Sequence, residues 1–146
     1  MKYDSVIFDI DGTIADCSHR LHHVTVKPKN WKAFEAELPN DAPIHDVIQL
    51  VFTLAQEHHI LLVTGRGEQS RDATERWLLL HGIHYDRLYM RPKGDYREDY
   101  VVKKELLDKI RSEGYDPFIA IEDRTRCVKM YRENGLICLQ VADGDY

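Results

Sequence analysis

The chain has 146 residues, 43% hydrophobic and 31% charged, an ordinary balance for one domain with a genuine core. Its formal net charge of −5 argues against an extended, charge-driven nucleic-acid surface, while leaving room for a small basic pocket for one phosphate. Three cysteines in no metal-binding spacing (Cys17, Cys127, Cys138), with no signal peptide, membrane-spanning run or lipidation motif, point to free thiols in a cytoplasmic chain with no membrane partner.

The first element lies in residues 6–15, VIFDIDGTIA. Val6, Ile7 and Phe8 form an apolar run suited to a strand buried on both faces of a parallel sheet. Ligands bind such sheets outside the carboxyl ends of the strands. Asp9 is therefore expected at the strand end, facing a site, with Gly12 permitting the sharp turn away. A DxD pair alone also fits a strand ending in a solvated acidic turn. DIDGT directly after a buried run favours chemistry.

Residues 16–41 are irregular, with a short helix at 31–35 stopped before Pro39. A long interruption of the first strand–helix crossover is read as a small cap, at about residues 17–41, beside the site; the alternative is a surface loop with scattered charges. A helix follows over residues 42–57, with Val47, Leu50, Val51 and Leu54 on one face and Pro43 in its first turn. Residues 60–63 read as a second buried strand, ending in Thr64-Gly65-Arg66. A helix is expected at 69–81, stopped by Gly82, then a short strand at 88–90 and a polar loop at 91–98. A helix at 100–111, a strand at 118–121 ending in Glu122-Asp123, a helix at 126–133 closed by Asn134-Gly135 and a strand at 136–141 complete the chain. This alternation predicts an α/β fold: a three-layer, doubly wound, Rossmann-like parallel sheet within a single domain, residues 1–146, with a small cap insertion after the first strand.

Polar chemistry recurs where buried runs end, at Asp9, Thr64 and Asp123. Those parts suit phosphoryl transfer. Asp9 is the candidate nucleophile, able to form an aspartyl-phosphate. Asp11 is the candidate acid/base, expected to titrate above Asp9, and its backbone carbonyl can also face a metal. Thr64 offers a hydroxyl to a phosphate oxygen, and Lys103 or Lys104 a positive charge. Asp123 can complete the oxygen shell of a magnesium ion. Each has an ordinary reading as well: Thr64 or Asp123 as a helix cap, the lysines as a solvated helix face. His22-His23 and His58-His59 read as surface histidines, because no ligand set of suitable spacing accompanies them. Tyr96, Tyr100 and Tyr146 suit either base stacking or surface packing, and Arg91 and Arg97 either nucleic-acid phosphates or solvation.

DIDGT, VTGR, the lysine and the late ED together resemble the haloacid dehalogenase superfamily of aspartate-nucleophile phosphatases. HRLHHV, KPKNWKAFE, TERWL, YDRLYMRP, GDYREDYVVKKE and EDRTRCVKMYRENG further resemble the 3′-phosphatase domain of phage-type polynucleotide kinase–phosphatase. The resemblance implies a magnesium-dependent enzyme that removes 3′-phosphate, including 2′,3′-cyclic ends, from nucleic acid. It implies Asp9 as nucleophile and Asp11 as general acid/base. Magnesium would be held by Asp9, Asp11 and Asp123. Arg20, Thr64, Gly65, Arg66, Asp99 and Lys103 would serve the phosphate or substrate. The family has two adjacent aspartates where this chain has Glu122-Asp123, so Glu122 is expected to reach the metal through water, behind the direct ligands. No GxxxxGK[ST] stretch is present, and the first motif begins at residue 9. The ATP-binding kinase half is thus expected to be absent, with a separate kinase or ligase as a partner. A phosphatase of a small metabolite and a non-catalytic end-binding module remain as alternatives, and the oligomeric state is left open.

Overall fold

Val6, Ile7 and Phe8 are wholly shielded from solvent because they occupy the central strand of a five-stranded parallel sheet. The structure, a computed structural model, describes residues 3–145. In chain order the elements are β1 (Ser5–Phe8), β2 (Ala15–Asp16), α1 (His22–Thr25), α2 (Trp31–Ala36), β3 (Ala42–Pro43), α3 (His45–Leu54), β4 (His59–Gly67), α4 (Arg71–Leu80), β5 (Arg87–Arg91), α5 (Asp99–Ser112), β6 (Pro117–Glu122), α6 (Thr125–Glu133) and β7 (Ile137–Gln140). The strand order is β5-β4-β1-β6-β7, and every pair in this sheet is parallel.

Alternate residues of each strand feed opposite faces. Val6, Phe8, Ile60 and Leu62 face α3 and α4, which contribute Ile48, Val51, Trp77 and Leu78. Ile7, Leu61 and Val63 face α5 and α6, which contribute Val102, Leu106, Ile110, Val128 and Tyr131. Both faces are therefore covered, the three-layer arrangement that the apolar runs predict. The chain leaves β1 toward β4 on one side and reaches β6 on the other. The β1/β6 junction is thus the topological switch point, where open α/β sheets bind ligands.

Two expectations need correction. Helix α3 starts at His45 rather than residue 42, because Ala42 and Pro43 pair antiparallel with Asp16 and Ala15 in a two-stranded ribbon. Pro43 therefore lies in a short edge strand, where its missing N–H costs little. β4 runs beyond residue 63 to Gly67, with a register shift against β5 between Thr64 and Gly67. Between Leu21 and Glu37 no residue is buried; α1 and α2 lie outside the main core.

Leu62 is fully buried on one sheet face, whereas Leu79 is exposed at the end of α4. Leu62→Ala should cost about 2–5 kcal/mol in urea denaturation, and Leu79→Ala should stay within about 0.5 kcal/mol of wild type.

Candidate active site

Asp9 follows directly on β1, and its N–H donates to the carbonyl of Ile121 at 3.0 Å, so its side chain stands at the carboxyl edge between β1 and β6. The chain then turns sharply: the N–H groups of Thr13, Ile14 and Ala15 all donate to the carbonyl of Ile10. Gly12 sits in this turn with φ +81°, and a Cβ there would fall 2.1 Å from Asp123 Oδ2. Only glycine meets both demands. The Thr13 hydroxyl donates to Asp9 Oδ2 at 3.1 Å and lies 3.5 Å from Asp123 Oδ1, joining the two strand ends.

Lys103 reaches this point from α5. Its Nζ donates to Asp9 Oδ1 at 2.8 Å and to Glu122 Oε2 at 2.7 Å, and it is buried. The second oxygen of Glu122 accepts the N–H groups of Asp123 and Arg124, each at 3.1 Å. Burial lowers the Lys103 pKa, but Asp9 and Glu122 outweigh it and hold the ammonium well above its usual value. For Asp9, burial and then the Glu122 charge push the carboxyl well up, against the pull of Lys103. Asp9, Glu122 and Asp123 bring carboxylate oxygens within 4.8 Å of one another. Three buried carboxylates beside the Lys103 ammonium make a hard, all-oxygen set, which fits magnesium. Both Glu122 oxygens are engaged, one by Lys103 and one by backbone N–H groups. The contact of Glu122 with Lys103 is also an ion pair.

A second group sits above the first. The bulge in β4 re-aims Arg66; its Nη2 donates to Asp11 Oδ1 at 2.6 Å and to Asp41 Oδ2 at 3.1 Å. Arg20 Nη2 donates to Asp11 Oδ1 and Asp41 Oδ2, each at 2.8 Å, while its Nε donates to Asp41 Oδ1 at 2.7 Å. Its guanidinium also lies 4.2 Å from the Phe34 ring centroid. Burial would raise the Asp11 carboxyl, but Arg66 and then Arg20 overcome it and hold Asp11 below the usual carboxylate range. The expected order of the two aspartates is thus reversed: Asp11 carries the arginines, and Asp9 carries the burial. The Asp11 side chain points to this group and not to the three converging carboxylates. Asp41, buried under both arginines, had no sequence signal, since it lies in an irregular stretch far from any motif. Thr13 was legible as the last residue of DIDGT, although its bridging contact was not.

Thr64 is fully buried at the end of the core run of β4, and its Oγ1 accepts the N–H of Arg66 at 3.1 Å, leaving its proton to donate elsewhere. Asp99 pairs with Arg91 and Arg124. A Cβ on Gly65 would come 2.7 Å from Asp99 Oδ1, so the glycine admits that carboxylate. Arg91 also donates to the carbonyls of Gly65, Asp95 and Arg97, and Arg97 pairs with Asp95 and Glu105. Both arginines are committed within the protein. Lys104 pairs with Asp108 on the outer face of α5, which leaves Lys103 as the inward lysine. Tyr96 and Tyr100 are exposed; Tyr146 lies outside the described residues. The three cysteines are buried and free, and no helix among the described residues is long and apolar enough to cross a membrane.

The family model for the polynucleotide kinase PNKP phosphatase domain matches residues 3–146. A chain in the structure of a Pnkp1/Rnl/Hen1 complex is 32% identical, with a TM-score of 0.84, covering 99% of this chain and 48% of that one. A protein of Autographa californica nuclear polyhedrosis virus, named as a bifunctional polynucleotide kinase/RNA ligase, is 27% identical over 132 residues, 88% of this chain and 18% of its own length. This chain therefore spans about half of the related chain in the solved complex and under a fifth of the viral protein. A haloacid dehalogenase-like hydrolase from Streptococcus pneumoniae shares the fold at 16% identity, with a TM-score of 0.70 over 94% of this chain and 83% of that one.

Burial would raise the Asp99 carboxyl, but Lys103, Arg124 and Arg91 together hold it below the usual range. The stabilisation from these pairs is complete above the unfolded carboxylate value of about 4. It is lost as pH falls through the lower folded value. Asp99→Asn should therefore destabilise the protein near neutral pH and flatten the loss of stability below about pH 4, measured by urea denaturation across a pH series. An acid limb as steep as wild type would assign it to other carboxylates.

Proposed function

The chain belongs to the family of the polynucleotide kinase PNKP phosphatase domain, and we propose on that premise that it removes 3′-phosphate from nucleic-acid ends through an aspartyl-phosphate on Asp9. As a member of that family it is a phosphatase of the haloacid dehalogenase type. The observation that carries the chemistry is the position of Asp9 at the switch point, held between Lys103 and the Thr13 hydroxyl and beside Asp123.

An Asp9 carboxylate oxygen attacks phosphorus, and the bond to the leaving 3′-oxygen breaks. Lys103 and the Thr64 hydroxyl take up charge on the phosphoryl oxygens. Asp11 protonates the leaving oxygen and then removes a proton from the water that cleaves the aspartyl-phosphate. Asp9, Asp123 and the Asp11 backbone carbonyl would hold a magnesium ion, which would screen the charge between nucleophile and phosphate. Arg20 and Arg66 keep Asp11 deprotonated in the free protein. A phosphate dianion competes for the same guanidinium groups, and losing them raises the Asp11 pKa toward the value an acid needs. Asp41 stays under both arginines and keeps them from following.

Residues 17–41 act as a cap that selects the leaving group. Its exposed Trp31, with Lys29 Nζ 5.8 Å from the ring centroid, suits the stacking and charge of a nucleotide next to the reacting end. Arg91 is held by Asp99 and by backbone carbonyls, whereas Arg97 pairs with Asp95 and Glu105 at the surface. The likeness to a chain of the Pnkp1/Rnl/Hen1 complex supports a kinase or ligase as a working partner.

A short 3′-phosphorylated oligonucleotide should release phosphate in a magnesium-dependent way, faster than a nucleoside 3′-monophosphate, with a 5′-phosphate poorly used. The preference should shrink as salt rises. Asp9→Asn should lower kcat by at least ~1,000-fold. A sugar phosphate with the highest kcat/KM would replace this reading by a metabolite phosphatase, and no release from any ester would leave an end-binding module. Glu122→Gln should weaken magnesium binding less than Asp123→Asn, by calorimetric titration; the opposite order would make Glu122 the direct ligand.

A further inference from the structure

Residues 17–41 form an unusual piece of the molecule. Its buried side chains are Cys17, Arg20, Leu38 and Asp41, and the stretch between Leu21 and Glu37 contributes none. Helices α1 and α2 span four and six residues, too short to persist by themselves. Small segments without an apolar core are commonly held by a disulfide or a metal, and all three cysteines are free.

The same segment brings together two imidazoles and a carboxylate. His23 Nε2 lies 3.1 Å from Glu37 Oε2, the His22 and His23 ring centroids are 4.0 Å apart, and one ligand atom from each of the three residues lies within 4.8 Å of the others. Tetrahedral zinc, with N and O ligands at about 2.0–2.1 Å, needs its ligand atoms about 3.3 Å apart. The His23–Glu37 pair, at 3.1 Å, already has close to that separation, and His22, within 4.8 Å of both, needs to approach by no more than about 1.5 Å. His22 is exposed and can do so. We propose that His22, His23 and Glu37 form a second metal site of the zinc class, with three protein ligands and the fourth position left to water, that staples the helical piece after Arg20 to the turn before Asp41. Sequence spacing hides it, because Glu37 lies 14 residues from His23 and only the fold of the segment brings it back. Ligand chemistry separates the two centres. Imidazole nitrogens select zinc and its neighbours, whereas the buried Asp9–Glu122–Asp123 set is oxygen only and selects magnesium. The staple closes the loop that carries Arg20 and Asp41, two residues that pair directly. It is independent of the reaction proposed above.

The test uses untagged, chelator-treated protein with excess magnesium. Zinc is titrated against a chromophoric chelator, and cobalt(II) is titrated with visible absorption as the readout. One zinc per chain is expected, together with cobalt bands of a low-coordinate nitrogen/oxygen site and a rise in Tm on adding zinc. His23→Ala and Glu37→Gln should each weaken zinc at least ~10-fold and abolish the Tm rise. Asp9→Asn should leave zinc binding unchanged. The two ligand variants change exposed or half-buried groups, and far-UV circular dichroism checks that they fold. Zinc binding that survives both, or that disappears in Asp9→Asn, or that is absent from wild type, overturns the proposal and leaves His23–Glu37 as a plain ion pair.

Discussion

The buried ammonium of Lys103 is the interaction on which the rest of the site depends. A parallel sheet that ends two neighbouring strands in Asp9 and Glu122-Asp123 forces carboxylates together out of water. Their mutual repulsion and lost hydration would push the strand ends apart unless a cation met them. Lys103 meets two of them at once, and it is positioned by the packing of α5, whose Val102, Leu106 and Ile110 lock into the sheet face beside Ile7 and Val63. The apolar stripe of α5 and the polar function of its lysine are therefore one requirement: register along the helix decides whether the ammonium reaches the strand ends.

Glu122 shows how a longer side chain is accommodated. One oxygen extends to Lys103, and the other turns back onto the N–H groups of Asp123 and Arg124. The longer side chain reaches the lysine with both of its oxygens hydrogen-bonded. The Arg20–Arg66–Asp11–Asp41 group obeys the same rule at a second level. Two arginines and two aspartates balance in charge, so the guanidinium groups stay buried beside Asp11 and Asp41. Asp41 reaches this group because β2 and β3 tie both ends of the inserted segment together.

Period and punctuation carried most of the architecture. Each buried strand is legible as an apolar run, and the helix carrying Val47, Leu50, Val51 and Leu54 as a 3.6-residue stripe, because burial demands apolar residues whatever the tertiary detail. The sequence predicts a helix from residue 42, whereas it starts at His45, since Pro43 fits a first helical turn and a short edge strand equally well. Whether Ala42 and Pro43 pair depends on Asp16 and Ala15, 26 and 28 residues earlier respectively.

Sequence by itself determined the sheet class, the order of elements, and the residues at the strand ends, Asp9, Thr64 and Asp123, because those follow from local apolar runs and the turns after them. Tertiary structure alone decided the partners. It chose Lys103 over Lys104, gave Arg20 and Arg66 to Asp11, buried Asp41 beneath them, tied up Arg91 and Arg97, and brought Glu37 to His22 and His23. These are contacts between residues far apart in the chain. Coulomb energy and desolvation depend on distance and burial in space, which a run of residue types does not contain until the core has packed.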